Sequence, residues 1–443
     1  MTEIAEIPLA KLLKPWNSGK INGYAFVNAS VVDVVTGQCH EHSSVLTAEG
    51  SIVKVALSEE IDFDNTQYKV IDCQGKWLCP GLIDCHVHLY AAPGGEMDLR
   101  AMKTRSPKKT QLLLSNVCNL MLSRGFTTVR DTGGLDSSVK DAIEDDIIHG
   151  PRLYYAGMAL SQTGGHGDFR TKEEEDHGCH CQFNPLSRVC DGVPDCLRAA
   201  RDELRKGADF IKIMGGGGVA SPTDGLTQLQ FTAEEIRAIT TVTNYAGTYV
   251  TAHAYTPEAI KHCIDNGVRC IEHGNLIDKE TAKLMADTGS FLVPTLITYK
   301  IMGSKQFAGF LSAHSQEKNS RVLEAGMKSL ELAKAAGVKL CYGSDLLGAL
   351  GGYQSGEFTV RSQALSPLEI LQHATINPSE LLRETRLGQI KKGNFADLIV
   401  LQKNPLEDIT ILDYPTDNLL AVMKNGRVYK SKWDQLPVDV LQL

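Results

Sequence analysis

The sequence predicts an α/β protein in which a (β/α)₈ TIM barrel is joined to a small β-sandwich domain built from both chain ends. Three observations predict this architecture. The 443 residues leave room for a barrel of about 250 residues and an attached domain. Short β-rich runs, separated by turn residues, occur from Tyr24 to Pro80 and again after Leu387. Between them, short apolar runs alternate with amphipathic helical stretches, the pattern of βαβ units around a parallel sheet.

The predicted domains follow from these changes of pattern. Residues 1–80 are expected to form the N-terminal part of the sandwich, 81–387 the barrel, and 388–443 the C-terminal part of the sandwich, where Asn425-Gly426 is a strong hairpin signal. The candidate barrel strands are, in order, LIDCHVH, FTTVRDTG, RLYYAGMAL, FIKIMGGG, TYVTAHAY, CIEHG, FLVPTL and KLCYGSD. Helical segments include Ala199–Gly207, Thr232–Ala246 and Pro257–Gly267.

Composition excludes several classes of protein. Lys and Arg number 45 against 53 Asp and Glu, a net charge of -8, and no basic run is long enough to follow a phosphate backbone, so no nucleic-acid partner is expected. No apolar stretch approaches the length of a signal-peptide core or a membrane span, so no membrane association is expected. The 12 cysteines are spread along the chain, which favours reduced thiols in the cytoplasm.

Polar residues stand near the ends of the candidate strands, where the catalytic residues of such barrels lie. These residues are His86, His88, Lys212, His253, His273 and Asp345. His86 and His88 are two apart in a strand, so both side chains point to the same side and can reach one ion. Imidazole and carboxylate suit a divalent ion such as Zn²⁺. Each residue alone has an ordinary structural explanation, but their joint occurrence predicts a metal site.

A lysine among metal ligands requires an explanation, because an ammonium has no lone pair to donate. Lys212 stands in the otherwise apolar run FIKIM and needs either a lowered pKa or a modification. Carbamylation by CO₂ converts it to N6-carboxylysine, an anion whose two oxygens can bridge two metal ions. A solvated edge residue is the alternative explanation.

Other signals are weaker. His166 lies on a Gly-rich loop after the third strand, and Tyr255 follows His253 by two positions, so either is a candidate for substrate contact or for packing. Arg170, on the same loop as His166, could pair with a substrate carboxylate or be solvated. The run 215–218 lacks the Lys-Ser/Thr of a P-loop and indicates close backbone approach or a flexible loop. The Cys- and His-rich stretch 177–196 lacks usual zinc spacing, and its role is left open.

These residues resemble the metal-dependent amidohydrolase superfamily, with PGLIDCHVH, FIKIMGGGG, VTAHAY, IEHG, YGSD and GQIKKGNFADLIVL present in order. The resemblance covers about residues 26–429 and is most specific for the branch containing amidohydrolase-type Xaa-Pro and Xaa-Arg dipeptidases, phenylurea hydrolase and fungal ochratoxinase. It implies two Zn²⁺ or other divalent ions. One ion is held by His86, His88 and Asp345 and the other by His253 and His273, with carbamylated Lys212 and a hydroxide as bridges. His166 and Tyr255 would contact the substrate, and the chain would be a homo-oligomer.

The predicted activity is hydrolysis of an amide or peptide bond in small N-acyl amino acids or dipeptides, including ochratoxin-type amides. Asp345 is the expected proton shuttle, and Tyr255 or His166 the expected oxyanion stabiliser. One alternative is a cyclic amide hydrolase or deaminase of the imidazolonepropionase kind. The spacing of His253 and Glu258 disfavours deamination, since such deaminases usually carry H-x-x-E. Another alternative is a non-catalytic scaffold, although such relatives lose metal ligands and this chain keeps all six.

Overall fold

A computed structural model of the chain describes residues 7–96, 105–174, 186–221 and 223–441. Within these ranges the strands are β1 (Tyr24–Val32), β2 (Cys39–Ala48), β3 (Ser51–Leu57), β4 (Lys69–Asp72), β5 (Trp77–Pro80), β6 (Leu82–Val87), β7 (Phe126–Asp131), β8 (Arg152–Tyr155), β9 (Ala159–Ser161), β10 (Ser187–Val189), β11 (Ile211–Met214), β12 (Val250–Ala254), β13 (Cys270–His273), β14 (Phe291–Val293), β15 (Lys339–Leu340), β16 (Leu398–Leu401), β17 (Leu419–Lys424) and β18 (Arg427–Ser431).

The α-helices of the described ranges are α1 (Leu9–Leu13), α2 (Pro107–Ser123), α3 (Ser137–Glu144), α4 (Gly192–Arg205), α5 (Ala233–Tyr245), α6 (Pro257–Asp265), α7 (Lys279–Asp287), α8 (Leu296–Met302), α9 (Ala313–Ala336), α10 (Glu357–Arg361), α11 (Pro367–His373), α12 (Ile376–Leu382) and α13 (Pro415–Asn418). Short 3₁₀ segments occur at Ser58–Glu60, Leu89–Ala91, Lys305–Phe307, Gly348–Gly356 and Ile409–Asp413. None of the helices in these ranges combines the length and the apolar character needed to cross a bilayer.

Strands from the two chain ends form one eight-stranded sheet, in the order β18-β17-β16-β5-β1-β2-β3 with β4 beside β1. The two ends meet where β16 runs antiparallel to β5, with Ile399 opposite Cys79. Asn425 and Gly426 both have positive φ in the turn between β17 and β18, as the sequence predicts for this hairpin. The two ends therefore fold together, while the sandwich arrangement and the domain boundaries stay predictions.

The middle of the chain contains the parallel strands that the βαβ pattern predicts. β9 and β11 to β15 pair in parallel, with β10 added beside β9, and β6, β7 and β8 form a second parallel group. The first and eighth candidate barrel strands are also connected. The backbone N–H of Cys85 donates to Tyr342 O and that of Asp345 donates to His86 O, both at 2.8 Å. The carboxyl ends of these strands consequently face one region of the molecule.

Some elements differ in detail from the prediction. The third candidate strand is divided into β8 and β9 at Gly157, which has φ +71° and lies close to the Glu203 carboxylate. The eighth is regular only over β15, and β10 lies in a stretch for which the sequence predicts no strand. Helix α5 begins as expected after Thr232, whose side chain forms a capping box with Glu235. These differences leave the order of the strand ends unchanged.

Candidate metal centre

The structure brings all six predicted metal ligands to one cavity of about 450 Å³. His86 lies on β6 and His88 directly after it, Lys212 lies on β11, His253 on β12 and His273 at the end of β13, and Asp345 follows β15. The side chains of His88 and Asp345 retain 11% and 19% exposure, and the other four residues are buried. The alternation of side chains along each strand places these groups in the cavity, while apolar neighbours fill the core.

Among the predicted metal ligands, Asp345 lies close to two of the histidines. Its Oδ1 lies 3.4 Å from the Nε2 atoms of both His86 and His88. Ligand atoms of His86, His273 and Asp345 all lie within 4.8 Å of one another, and the His253 ring centroid is 4.6 Å from that of His273. His273 and Asp345 have φ values of +74° and +49°. Such strained conformations at strand ends are typical of functional sites.

Backbone carbonyls fix the proton positions on two imidazoles. His88 Nδ1 lies 3.1 Å from Gly133 O, and His253 Nε2 lies 3.2 Å from Gly217 O. Because a carbonyl oxygen only accepts, each of these nitrogens carries the proton and donates it. The lone pairs are then on His88 Nε2, which lies 3.3 Å from the Thr132 hydroxyl, and on His253 Nδ1. This division, in which one ring nitrogen is anchored to the protein, is usual for metal-binding histidines.

The electrostatics favour the metal-binding forms of His86, His253, His273 and Asp345. His88 differs, because burial acts to lower its pKa but the hydrogen bond and charge of the Asp345 carboxylate outweigh burial and raise it. Burial lowers the pKa of His86 to about 4 and that of His253 and His273 well below the ordinary value, so these imidazoles are neutral near pH 7. Burial acts to raise the pKa of Asp345, but the imidazoles of His86 and His88 outweigh it and lower that pKa. Neutral imidazoles beside an ionised carboxylate are a suitable donor set for a divalent cation.

Lys212 is buried among these ligands, with 2% exposure. Burial lowers the pKa of its ammonium group, although the carboxylates of Glu272 and Asp345 act in the opposite direction. A lowered pKa increases the fraction of neutral amine, which is the form that reacts with CO₂. The surroundings of Lys212 therefore suit the carbamate that the sequence analysis predicts.

His166 and Tyr255 also line the cavity. The His166 ring stacks on that of His253 at 4.1 Å, and its Nδ1 lies 2.7 Å from Ser221 Oγ. The Tyr255 hydroxyl lies 2.9 Å from the Tyr299 hydroxyl, which lies 2.9 Å from His273 Nδ1. The Tyr255 hydroxyl is thus connected through Tyr299 to a predicted metal ligand.

Arg170 differs from the other predicted residues. Its guanidinium forms a bidentate ion pair with Asp168, at 2.7 and 2.6 Å, and it is absent from the described residues that line the cavity. A contact with the substrate carboxylate stays a prediction for this residue. Arg105 does line the cavity, paired with Glu96 and donating to Ala92 O at 2.7 Å.

Comparisons with known proteins identify the family. Residues 77–429 match the amidohydrolase family. The chain belongs to this family. Ochratoxinase of Aspergillus niger is 33% identical over 366 residues, which cover 80% of this amidohydrolase and 75% of that protein.

Solved structures place the amidohydrolase in the predicted branch. A prolidase complexed with N-methylphosphonate-L-proline is 42% identical, with a TM-score of 0.88 over 93% of this chain and 100% of that one. A Xaa-Pro dipeptidase with bound methionine is 28% identical, with a TM-score of 0.82 over 93% of this chain and 100% of that one. The predicted class, a hydrolase of amide or peptide bonds, is confirmed by the family and these relatives.

Sequence reasoning missed Tyr299, which lines the cavity of the amidohydrolase, and four buried polar residues behind it, namely Arg130, Asp224, Glu272 and Lys318. Glu272 accepts hydrogen bonds beneath the ligands, and Lys318 Nζ donates to three carbonyls of the loop after β11, at 2.8 to 3.2 Å. A signal existed for Glu272, which is a charged residue inside the buried run CIEHG.

Of the Cys- and His-rich stretch 177–196, residues 177–185 lie outside the described ranges. Cys190 and Cys196 are buried with Sγ atoms 3.9 Å apart.

Proposed function

We propose that this amidohydrolase cleaves the amide bond of small N-acyl amino acids or dipeptides with two divalent ions, expected to be Zn²⁺. The single observation that supports this most is the convergence of the six ligand residues on one buried cavity. His86, His88 and Asp345 would hold one ion and His253 and His273 the other, with Lys212 between them as the carbamate. When bound, the ions would lower the pKa of a water molecule and polarise the scissile carbonyl.

The protein's own groups have separate tasks in this proposal. Ionised Asp345 accepts the proton that the attacking water loses and returns it to the leaving nitrogen as the C–N bond breaks and the new C–O bond forms. Tyr255 and His166 lie on the cavity wall, where a phenol or imidazole can orient the carbonyl and stabilise its developing negative charge. Because Asp345 protonates the leaving nitrogen, the product amine leaves as a neutral molecule and not as an anion.

The walls of the cavity indicate what accompanies the amide. Apolar side chains of Val219, Met302, Phe310, Leu311 and Leu347 line it together with the site residues. Burial of apolar area contributes roughly 25 cal/mol per Å², so a substrate with neutral, apolar groups is favoured over one with a charged side chain. A cytoplasmic location and a homo-oligomeric state accompany the proposal as predictions from the sequence.

A substrate panel tests the proposal. Zinc-loaded protein is incubated with dipeptides and N-acyl amino acids of varied side chain, and the released amino acid is quantified by mass spectrometry, with His253→Ala as the inactive control. We expect hydrolysis of at least one apolar N-acyl amino acid or dipeptide, and none by the control. Ammonia release from cyclic amidines without hydrolysis of any linear amide would contradict the proposal and favour a deaminase.

A further inference from the structure

Glu272 lies beneath the predicted metal centre and has no exposed surface. One carboxylate oxygen, Oε2, is 2.7 Å from His86 Nδ1. The other, Oε1, accepts from Arg130 Nη2 at 2.5 Å and from the hydroxyl of Thr251. These partners come from β6, β7 and β12, so Glu272 links β13 to its neighbour β12 and to two strands of the other parallel group.

The hydrogen bond to Glu272 fixes which ring nitrogen of His86 carries the proton. An ionised carboxylate only accepts, so His86 Nδ1 must carry a proton and donate it to Glu272. The neutral ring then presents the lone pair of Nε2, the atom that lies 3.4 Å from Asp345 Oδ1. Without Glu272, the ring could adopt the other tautomer, in which Nε2 carries the proton and cannot bind a cation.

Arg130 explains why Glu272 remains a carboxylate in a buried position. Its guanidinium has no exposed surface, donates through Nε to Cys85 O at 2.6 Å and lies over the Phe210 ring at 5.1 Å. An isolated buried carboxylate would be strongly destabilising, whereas one paired with a fixed guanidinium is tolerated. Arg130 thus neutralises Glu272 without occupying the oxygen that faces His86.

We propose that Glu272, supported by Arg130, is a positioning residue that fixes the tautomer and ring orientation of His86 and so sets the affinity of the ion that His86 binds. This inference rests on the proposed metal site. Carboxylates that orient metal-binding histidines typically contribute 10–100-fold to metal affinity. A merely structural ion pair would contribute to folding stability and leave the metal affinity unchanged.

Glu272→Gln and Glu357→Gln form a matched pair of variants. Glu357 also has no exposed surface and pairs with a buried arginine, Arg361, at 2.7 Å, but its other oxygen accepts from the backbone N–H of Ile297 at 2.7 Å instead of facing a predicted metal ligand. Zinc affinity is measured by chelator competition, and the visible absorption of the Co²⁺-substituted protein reports the ligand field. We expect Glu272→Gln to lose about 10–100-fold in affinity and to show an altered Co²⁺ spectrum. Glu357→Gln should keep both.

The outcomes separate the inference from the proposed function. Wild-type affinity and spectrum in Glu272→Gln would overturn the inference alone, and absence of metal binding by the wild-type protein would overturn both. Glu272→Asp gives a second test if the Gln variant does not fold, because it keeps the charge but withdraws the carboxylate by about 1.5 Å, one C–C bond. Weakened zinc binding is expected there too, and an unchanged affinity would again overturn the inference.

Discussion

Gly218 faces the His166 ring, and replacing it with alanine tests the geometry of the substrate end of the site. A Cβ at this position would lie 2.0 Å from His166 Cε1 and Nδ1, whereas ordinary contact begins near 3.4 Å. The difference, roughly 1.4 Å, must come from movement of the ring or of the loop. The backbone φ at Gly218 lies outside the left-handed region, so the contact with His166 is the physical reason for glycine.

The loop offers little relaxation. Gly218 N donates to Asp224 Oδ2 at 3.0 Å, and Gly218 O accepts from Lys318 Nζ at 2.8 Å. Gly218→Ala should therefore displace His166 from Ser221 and lower folding stability by about 1–3 kcal/mol, the usual range for overpacking. Because a displacement of about 1 Å in a substrate-positioning group can cost about 10²-fold, kcat/KM should fall by roughly that factor.

The assay is a double-mutant cycle in denaturant unfolding, with hydrolysis measured on the same samples. His166→Ala removes the ring, so Gly218→Ala should cost little in that background, and the coupling energy should be about 1 kcal/mol or more. Gly225→Ala is the control from the same loop, because a Cβ there meets no atom within 4 Å. Equal destabilisation by Gly218→Ala with and without His166 would refute the reasoning.

Three further predictions concern the chemistry of the site. Lys212→Arg should lose metal and activity together, because arginine keeps the charge but cannot form the carbamate; full activity measured with metal analysis would exclude the bridging role. Asp345→Asn should retain the fold while kcat falls about 10²–10⁴-fold, and a loss below about tenfold in metal-replete protein would reassign the proton shuttle. An N-acyl amino acid should be hydrolysed roughly ten- to a hundredfold faster in kcat/KM than the same compound with its free carboxylate converted to an amide, because the amide cannot form the charged hydrogen bond expected between the carboxylate and a cation of the protein. Equal rates would indicate a neutral-amide hydrolase.

The positions of the ligand residues could be predicted because they follow from local rules. His86 and His88 are separated by the two-residue period of a strand, and parallel strands in a barrel present their carboxyl ends together. For the glycine run 215–218 the sequence leaves close backbone approach and a flexible loop as alternatives, and at Gly218 the structure shows a close approach to the His166 ring. Such patterns depend only on residues near one another in the chain.

The interactions that hold the ligands in place could not be predicted, because they join residues far apart in sequence. Glu272 contacts His86 across 186 positions and Arg130 across 142, and no local spacing indicates such pairs. Arg170 illustrates a different difficulty, since its bidentate partner Asp168 is only two residues away. Both ion pairing and substrate recognition are compatible with an arginine on that loop, so its sequence position alone does not distinguish them.

The most direct test of a two-metal amide hydrolase is a titration of metal-free protein with Zn²⁺, monitored by hydrolysis of the best substrate from the panel. The six ligand residues exceed what one tetrahedral ion can use, so activity should rise with added metal and reach its plateau at close to two equivalents per chain. A plateau at one equivalent, or hydrolysis that is independent of added metal, would contradict the account.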